Sequence, residues 1–220
     1  MNKIITALTV QKRDQHRVNV YLDGEFAFGL SRIVAAWLKI GQELTDEKII
    51  SLKAEDEEEV AYQRAIRFIG YRTRSVSEVK KSLLKGDISE AIIESVLARL
   101  ERNNLLDDKQ FAQTWVENRN EFRPRSHRML SFELRNKGID PKIIDQVLEE
   151  TTPDEDLAYL AALKQIRRYR HLDWKDFRRK LGSFLARRGF SYATINPIVN
   201  QIWAELDSES EIGIYKIEDL

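Results

Sequence analysis

The feature that most constrains this chain is an internal repeat with a period of 51 residues, first visible in Leu83, Leu134 and Leu185. The same spacing relates Val79, Leu130 and Leu181; Ile88, Ile139 and Phe190; Ile93, Ile144 and Ile195; Val96, Val147 and Ile198; and Leu97, Leu148 and Val199. A fixed period of this length is typical of stacked supersecondary units, none of which can bury its apolar face alone. We therefore predict three tandem copies of one small unit.

The boundaries within each copy predict helices. Ser89, Asp140 and Ser191 keep the 51-residue spacing, and each precedes a segment whose apolar residues fit one helical face. Side chains of this kind cap a helix N-terminus by accepting a backbone N–H bond, and Pro141 suits a first turn. Each copy should contain a first helix, a loop, a middle helix, a tight turn and a closing helix, which resembles a helix-turn-helix module.

Glycines predict how the middle helices end. Gly138 and Gly189 lie where a left-handed residue would terminate the middle helix of the second and third copies. Gly86 is out of register with them, so we expect the first copy to turn differently. Ser75 with Glu78 has the spacing of a capping box at the start of the first middle helix.

The first 44 residues predict a small β region. Apolar residues alternate over residues 17–22, Asp23-Gly24 is a strong hairpin turn, and Phe26, Phe28 and Leu30 resume the alternation. A third strand is expected over residues 4–10, and a helix over residues 31–39 with Gly41 as its stop.

A further helix should begin near Thr45 and lead into the repeats. It contains the run Glu55-Asp56-Glu57-Glu58-Glu59, which we expect to be too charged for burial. The predicted fold class is mainly α, with three tandem three-helix repeats in a curved array after a small β-hairpin region. The predicted divisions are residues 1–44, 45–108, 109–153 and 154–206, followed by an acidic tail over residues 207–220.

The net charge of zero conceals an uneven distribution. Residues 61–203 hold 27 Lys/Arg against 19 Asp/Glu, a net +8, whereas residues 1–60 carry −3 and residues 204–220 carry −5. A basic body suits a polyanionic partner, because each phosphate neutralised releases counterions. It also suits an ordinary solvated helical surface, because Lys and Arg are good helix formers. Charge alone leaves both interpretations open.

Composition and motifs exclude several classes of protein. The chain has no cysteine, hence neither disulfides nor thiolate metal sites, and we predict a cytoplasmic protein without a signal peptide or membrane span. His16, His127 and His171 stand far apart, and the phosphate-binding, nucleophile-elbow and dinucleotide-binding motifs are missing. We predict a protein that is not an enzyme, with no catalytic residues, metal or cofactor.

Basic clusters are the candidate functional chemistry, because the planar arginine fork can bind phosphates or carboxylates bidentately. They lie beside the first loop, around the second loop and along the third middle helix. The candidates are Arg72, Arg74, Arg119, Arg123, Arg125, Arg128, Arg178, Arg179, Lys180, Arg187 and Arg188. For each of them, capping a helix or covering a neighbouring helix remains as good an interpretation as contact with a partner.

Five aromatic residues stand at helical spacing among apolar residues. They are Trp115, Trp174, Trp203, Tyr169 and Phe177. We expect most of them in the cores of the repeats, since large aromatics dominate burial in small helical units. An exposed one could stack on a nucleotide base.

Particular stretches resemble the RecX family. Residues 111–119, 123–126 and 134–139, which read FAQTWVENR, RPRS and LRNKGI, are similar to the central RecX repeat. YRTRS at residues 71–75 and RRGFS at residues 187–191 resemble their counterparts in the first and last repeats. The resemblance covers roughly residues 60–205, and the N-terminal region is similar to the extension of longer family members.

The resemblance implies a partner that the residues alone do not name. RecX-like proteins bind the filament that RecA forms on single-stranded DNA, in its helical groove, and suppress ATP hydrolysis, filament growth and strand exchange in recombination and the SOS response. By this resemblance we expect a monomeric regulator that binds RecA protein and the RecA–DNA filament, with direct DNA phosphate contacts left open. The alternatives are an independent DNA-binding protein with tandem helix-turn-helix repeats and a helical scaffold for an unrelated partner.

Overall fold

The computed structural model describes residues 2–218 of the chain, with side chains up to Ser208. The chain forms two compact units, Met1–Asp107 and Asp108–Leu220. The first unit holds a small β-sheet and the first repeat, and the second unit holds the other two repeats. Over the described part of the chain, every helix is too short or too polar to cross a bilayer.

The N-terminal sheet has four antiparallel strands rather than the three expected. They are β1 (Lys3–Val10), β2 (Arg17–Leu22), β3 (Glu25–Ser31) and β4 (Glu43–Leu44), in the order β3-β2-β1-β4. Asp23 and Gly24 form the predicted hairpin turn, with φ of 53° and 91°. Alternate residues such as Val20, Leu22 and Leu30 enter the core of the sheet, which confirms the alternation seen in the sequence.

The prediction of a helix over residues 31–39 is wrong in length, because the helix that forms is shorter. Only α1 (Arg32–Ala35) forms there. The chain then returns to β1, where Gly41 N–H donates to Ile5 O at 2.8 Å and Ile5 N–H donates to Gln42 O at 2.9 Å. These backbone bonds lead into the short strand β4, which the sequence pattern did not predict, and they are incompatible with a longer helix.

Helix α2 (Asp46–Gly70) begins at the predicted cap, Thr45. The expectation that its acidic run is too charged for burial is wrong for two residues, because Asp56 and Glu59 are only 8% and 4% exposed. Asp56 accepts bonds from Arg17 Nη2 at 2.9 Å and from Ser31 N–H, and Glu59 pairs with Arg99 at 2.8 Å. Charge is tolerated there because each carboxylate has a partner.

Three repeats follow the predicted order of helices. The first comprises the end of α2, α3 (Val76–Leu84) and α4 (Glu90–Arg102). The second comprises α5 (Asp108–Phe122), α6 (His127–Asn136) and α7 (Pro141–Glu149). The third comprises α8 (Asp154–Leu163), the added short helix α9 (Ile166–Tyr169), α10 (Trp174–Arg187) and α11 (Tyr192–Glu218). Helix α11 thus continues through most of the segment for which an acidic tail was predicted, and residues 219–220 lie outside the described part.

Residues related by the 51-residue spacing are buried at equivalent positions in the three repeats. Val79, Leu130 and Leu181 are completely buried on the three middle helices. Leu83, Leu134 and Leu185 lie one turn further on and are also completely buried. Each pair belongs to a separate apolar core, one per repeat. The three-helix repeats and the mainly α fold class are therefore confirmed.

The helix caps that the sequence predicted are present. Ser89 accepts from Ile92 N–H, Asp140 from Lys142 N–H, and the Ser191 hydroxyl from Thr194 N–H at 3.2 Å. Ser75 and Glu78 form the reciprocal capping box of α3. Ser126, one period after Ser75, caps α6 by accepting from Met129 N–H.

The expectation that the first repeat turns differently is wrong. Asp87, Gly138 and Gly189 stand at the repeat spacing, and all three adopt a left-handed backbone with φ of 52°, 78° and 94°. Aspartate is among the few residues other than glycine that tolerate this conformation, so it makes the same turn. Gly86 lies beside the flexible end of the Arg64 side chain, which an added Cβ would displace.

We predict that Gly189→Ala destabilises the second unit by about 2–3 kcal/mol, from left-handed strain and overpacking together. An added Cβ would lie 2.5 Å from Ser126 Oγ and 2.9 Å from Met129 Cβ. Gly24→Ala is the matched control, since Gly24 has φ of +91° but open space around the added Cβ. Gly24→Ala should lower the free energy of unfolding by about 1 kcal/mol, because it adds left-handed strain without overpacking. Urea unfolding followed by circular dichroism measures both, and equal losses would contradict the packing role of Gly189.

We predict that Asp56→Asn destabilises the first unit by about 3 kcal/mol, because it leaves Arg17 without its charge partner. Glu57→Gln, an exposed neighbour with the same loss of charge, should change stability by less than about 0.5 kcal/mol. Urea unfolding of both variants tests whether Asp56 fastens the sheet to α2. Equal effects of the two substitutions would assign the loss to general charge rather than to this contact.

Candidate functional site

The two candidate arginines of the first repeat are held within their own loop. Arg72 pairs with Glu78 at 2.9 Å and donates to the Thr73 carbonyl at 3.0 Å. The guanidinium of Arg74 lies 4.0 Å from the ring centroid of Phe68. Both side chains therefore stabilise the junction between α2 and α3, and Arg72 stays partly accessible at 45% exposure.

Two arginines of the second repeat converge on one carboxylate. Arg119 Nε lies 2.8 Å from Glu133 Oε2, and Arg125 Nη1 contacts Glu133 Oε1. Trp115 Nε1 donates to the same carboxylate at 2.8 Å. Glu133 is largely buried, so this network fixes the positions of both guanidinium groups at the start of α6.

Trp115 provides a second support for the basic side chains. Its ring lies 4.5 Å from the guanidinium carbon of Arg119 and 5.0 Å from Nζ of Lys137, centroid to atom. It also stacks on Phe111, with 5.8 Å between ring centroids. Electrostatic attraction between a cation and the ring face favours this arrangement and keeps the charges close together.

The end of α10 meets the loop that precedes α6. Ser126 N–H donates to the Arg188 carbonyl at 3.1 Å, and Arg188 Nη1 donates to the Pro124 carbonyl at 3.4 Å. Arg128 Nη2 reaches the Gly189 carbonyl at 3.5 Å. The carboxyl end of a helix exposes unpaired carbonyl groups, and cations are favoured there.

These contacts bring four arginines together at the joint between the second and third repeats, and a fifth, Arg123, lies near them; we call the five the arginine cluster. Its members are Arg119, Arg123, Arg125, Arg128 and Arg188. Burial lowers the pKa of the Arg188 guanidinium, and the nearby charges of Arg125 and Arg123 lower it further. The joint is therefore a region of concentrated positive charge.

The cluster retains unused hydrogen-bonding capacity. The side chain of Arg123 is exposed and forms no ion pair with any described residue. Nε of Arg125 is buried without a hydrogen-bond partner among the described residues. A carboxylate or phosphate that approached the cluster could accept hydrogen bonds from the exposed guanidinium of Arg123.

The remaining candidates lie along α10, and the structure separates them. Arg178, Arg179 and Lys180 are in the second turn of the helix, whereas Arg187 ends it, roughly 13 Å further along the axis at 1.5 Å per residue. Arg179 pairs with Asp176 at 3.1 Å, and Arg178 lies 6.0 Å from the ring centroid of Trp174. Among the described residues, Lys180 and Arg187 form no ion pair.

The aromatic side chains lie mostly in the cores, as expected. Phe177 is completely buried, and Tyr169, Trp203 and Trp115 pack against the cores of their repeats. Trp174 is the exception, at 36% exposure, with 5.4 Å between its ring centroid and that of Trp203.

Sequence reasoning missed Glu133, on which the arginine cluster is organised. Glu133 is 14 residues from Arg119 and 8 from Arg125, so no local spacing marks it as their partner. Trp115 and Arg119 are four residues apart on one helix, a spacing that could have predicted their contact. Across the described residues, no group of His, Cys, Asp or Glu side chains has the arrangement of a metal site.

Four family models match successive parts of the chain. The RecX N-terminal domain matches residues 3–45, and the first, second and third RecX three-helix domains match residues 61–100, 107–148 and 153–199. These ranges coincide with the sheet and with the three repeats described above.

Relatives match over nearly the whole chain. The regulatory protein RecX of Bacillus velezensis is 32% identical over 218 residues, covering 96% of this chain and 82% of the relative. The regulatory protein RecX of Bacillus subtilis is 32% identical over 211 residues, covering 94% and 80%. That of Lacticaseibacillus paracasei is 31% identical, covering 97% and 90%.

Solved structures agree with the fold. A crystal structure of regulatory protein RecX matches with a TM-score of 0.71 at 30% identity, over 90% of this chain and 99% of that chain. The crystal structure of RecX from Lactobacillus salivarius matches with a TM-score of 0.59 at 28% identity, over 70% and 98%. The fold, the repeats and the sequence together show that this chain belongs to the RecX family of regulatory proteins.

Proposed function

We propose that this protein is a non-enzymatic regulator of RecA recombinase. It binds the filament that RecA forms on single-stranded DNA, in the filament groove, and lowers ATP hydrolysis, filament growth and strand exchange. Membership of a family of regulatory proteins supports the general role. The arginine cluster is the observation that supports an anionic binding partner.

The electrostatics of the cluster explain why such a partner would bind. Burial lowers the pKa of Arg188, and the nearby charges of Arg125 and Arg123 lower it further, so the unbound protein holds like charges near one another. An acidic side chain of RecA, or a DNA phosphate, would relieve that repulsion and form charge-assisted hydrogen bonds. The cost of ordering the arginines is reduced, because Glu133 and Trp115 already hold Arg119 and Arg125.

The members of the cluster should differ in their roles. Arg125 and Arg128 hold contacts within the protein, so replacing them alters the joint as well as the surface. Arg123 has no such contact with described residues, and its substitution removes charge from the surface alone. Arg123 is therefore the residue whose loss reports most directly on binding.

We predict that adding this protein to RecA on single-stranded DNA lowers ATP hydrolysis, and that Arg123→Gln needs roughly tenfold more protein for the same effect. Loss of one charge-assisted hydrogen bond costs about 1.5–3 kcal/mol, and 1.4 kcal/mol corresponds to about tenfold. The measurement is a titration of the hydrolysis rate.

Arg102→Gln is the matched control, since Arg102 is exposed at the end of α4 in the first unit. It should inhibit like the unmodified protein. If stoichiometric addition of the unmodified protein leaves hydrolysis and strand exchange unchanged, the proposed function is wrong. If Arg123→Gln and Arg102→Gln inhibit equally, the assignment of the arginine cluster fails.

Binding to bare DNA distinguishes this function from an independent DNA-binding protein. We predict that binding to duplex DNA is weak and that binding to RecA filaments is strong under the same salt conditions. An independent DNA-binding protein would instead bind duplex DNA tightly, with an affinity that falls steeply with salt as several phosphates are neutralised. Fluorescence anisotropy with labelled duplex and labelled filament, across a salt series, measures both.

A further inference from the structure

The third repeat contains a groove between α10 and α11 with a volume of about 560 Å³. Its rim holds three cations, Lys175, Arg178 and Arg179, and none of its lining residues is acidic. Arg179 is paired with Asp176 at 3.1 Å, so Lys175 and Arg178 are the two rim cations without an ion pair among the described residues. Trp174 and Tyr192 supply two aromatic rings at the groove, and Tyr192 is 73% exposed. A volume of this size is within the range of ligand-binding sites, and the charge of the rim favours an anion.

Gly182 on the groove wall is not explained by packing within the protein. It lies inside the 14-residue helix α10, where glycine costs about 1 kcal/mol relative to alanine. An added Cβ would meet only Ile195 Cγ2, at 3.7 Å, which is an ordinary van der Waals contact. By contrast, Gly189 and Gly86 have neighbours that an added Cβ would displace. The space at Gly182 is therefore open toward the groove rather than filled by the chain.

We propose that this groove binds single-stranded DNA, with one base against the exposed aromatic rings and the adjoining phosphates on Lys175 and Arg178. Aromatic rings stack on bases of any sequence, and cations beside them follow the sugar-phosphate chain. A base in a duplex is already stacked on its neighbours, so its faces are closed to Trp174 and Tyr192. An acidic peptide would use the cations but would leave the two rings without a complementary partner.

The geometry of Trp174 suits this role. Its ring is supported from within by Trp203, whose centroid lies 5.4 Å away and which packs in turn on Phe177 at 5.1 Å. The support holds the ring in place while part of its surface remains accessible. A fixed ring loses little conformational freedom when a base stacks on it.

This groove site extends the proposed function, because it would give the DNA of the filament its own binding site on the protein. It rests on the proposed function only for its biological role, because binding to a bare oligonucleotide is measured without RecA. Failure of the hydrolysis titration would overturn the proposed function, and failure of the oligonucleotide experiment would overturn only the groove site.

The experiment is fluorescence anisotropy of a short labelled oligothymidylate with the full chain at low salt. Tyr192→Ala should weaken binding roughly tenfold, because stacking on one aromatic is worth about 1–3 kcal/mol, and Tyr192→Phe should restore it. Arg178→Gln should weaken binding and reduce the slope of log affinity against log salt by about 0.7, the contribution of one phosphate. Gly182→Leu should obstruct the groove and weaken binding further.

The controls are substitutions of the same kind elsewhere in the second unit. Phe132→Ala removes an exposed ring from α6, and Lys142→Gln removes an exposed charge from α7. Both should bind like the unmodified protein. Circular dichroism checks that the Gly182→Leu variant keeps its helices. If that variant unfolds, Tyr192→Ala still tests the site, because Tyr192 is exposed and its replacement leaves the core unchanged.

Three results would overturn the groove site. The first is no binding of the oligonucleotide by the unmodified protein at low salt. The second is unchanged binding by Tyr192→Ala and Arg178→Gln. The third is displacement of the oligonucleotide by a polyglutamate peptide of equal charge at equal concentration, which would show that the rings contribute nothing.

Discussion

The structure depends on the burial of one apolar stripe on the middle helix of each repeat. Val79, Leu130 and Leu181, with the leucine one turn later in each case, are completely buried at the centre of three separate cores. Helices of 9 to 14 residues are marginal in isolation, so this packing supplies most of their stability. The loops between the helices can then carry charged residues without loss of stability.

Buried carboxylates organise that charge. Asp56 fastens the sheet to α2 through Arg17 and Ser31, Glu59 holds Arg99, and Glu133 holds Arg119 and Arg125. The partners of each carboxylate offset the desolvation cost of burying it, and the carboxylate in turn fixes the position of each partner. Arginine in this protein therefore has structural as well as surface roles, and the two roles meet in the arginine cluster.

The cluster and the groove are different kinds of surface on the second unit. The cluster presents guanidinium groups alone, which match acidic side chains as well as phosphates. The groove adds exposed aromatic rings to its cations, and such rings favour bases over acidic side chains. Under the proposed function, the cluster would suit acidic side chains of the filament protein, and the groove would suit its DNA.

The sequence alone determined the three-repeat architecture and the N-terminal hairpin. The 51-residue period can be read directly from the spacing of apolar residues. The caps at Ser89, Asp140 and Ser191 and the left-handed Gly138 and Gly189 are local signals, because they depend on residues within one or two helical turns. Only the tertiary structure decided the exceptions to those signals. Asp87 makes the turn assigned to glycine, and the acidic run has two buried members because Arg17 and Arg99 approach it from distant parts of the chain.

For the candidate functional surface, too, the sequence determined one part and the tertiary structure decided the rest. The arginines were visible in the sequence as charged clusters. Nothing local distinguishes Arg123, which has no ion pair with a described residue, from Arg119 and Arg125, which Glu133 holds. Likewise, the meeting of Arg188 with Pro124 joins residues 64 positions apart. Helical periodicity determines which face a side chain occupies, whereas the packing of one repeat on the next determines which faces meet, and only the folded chain contains that information.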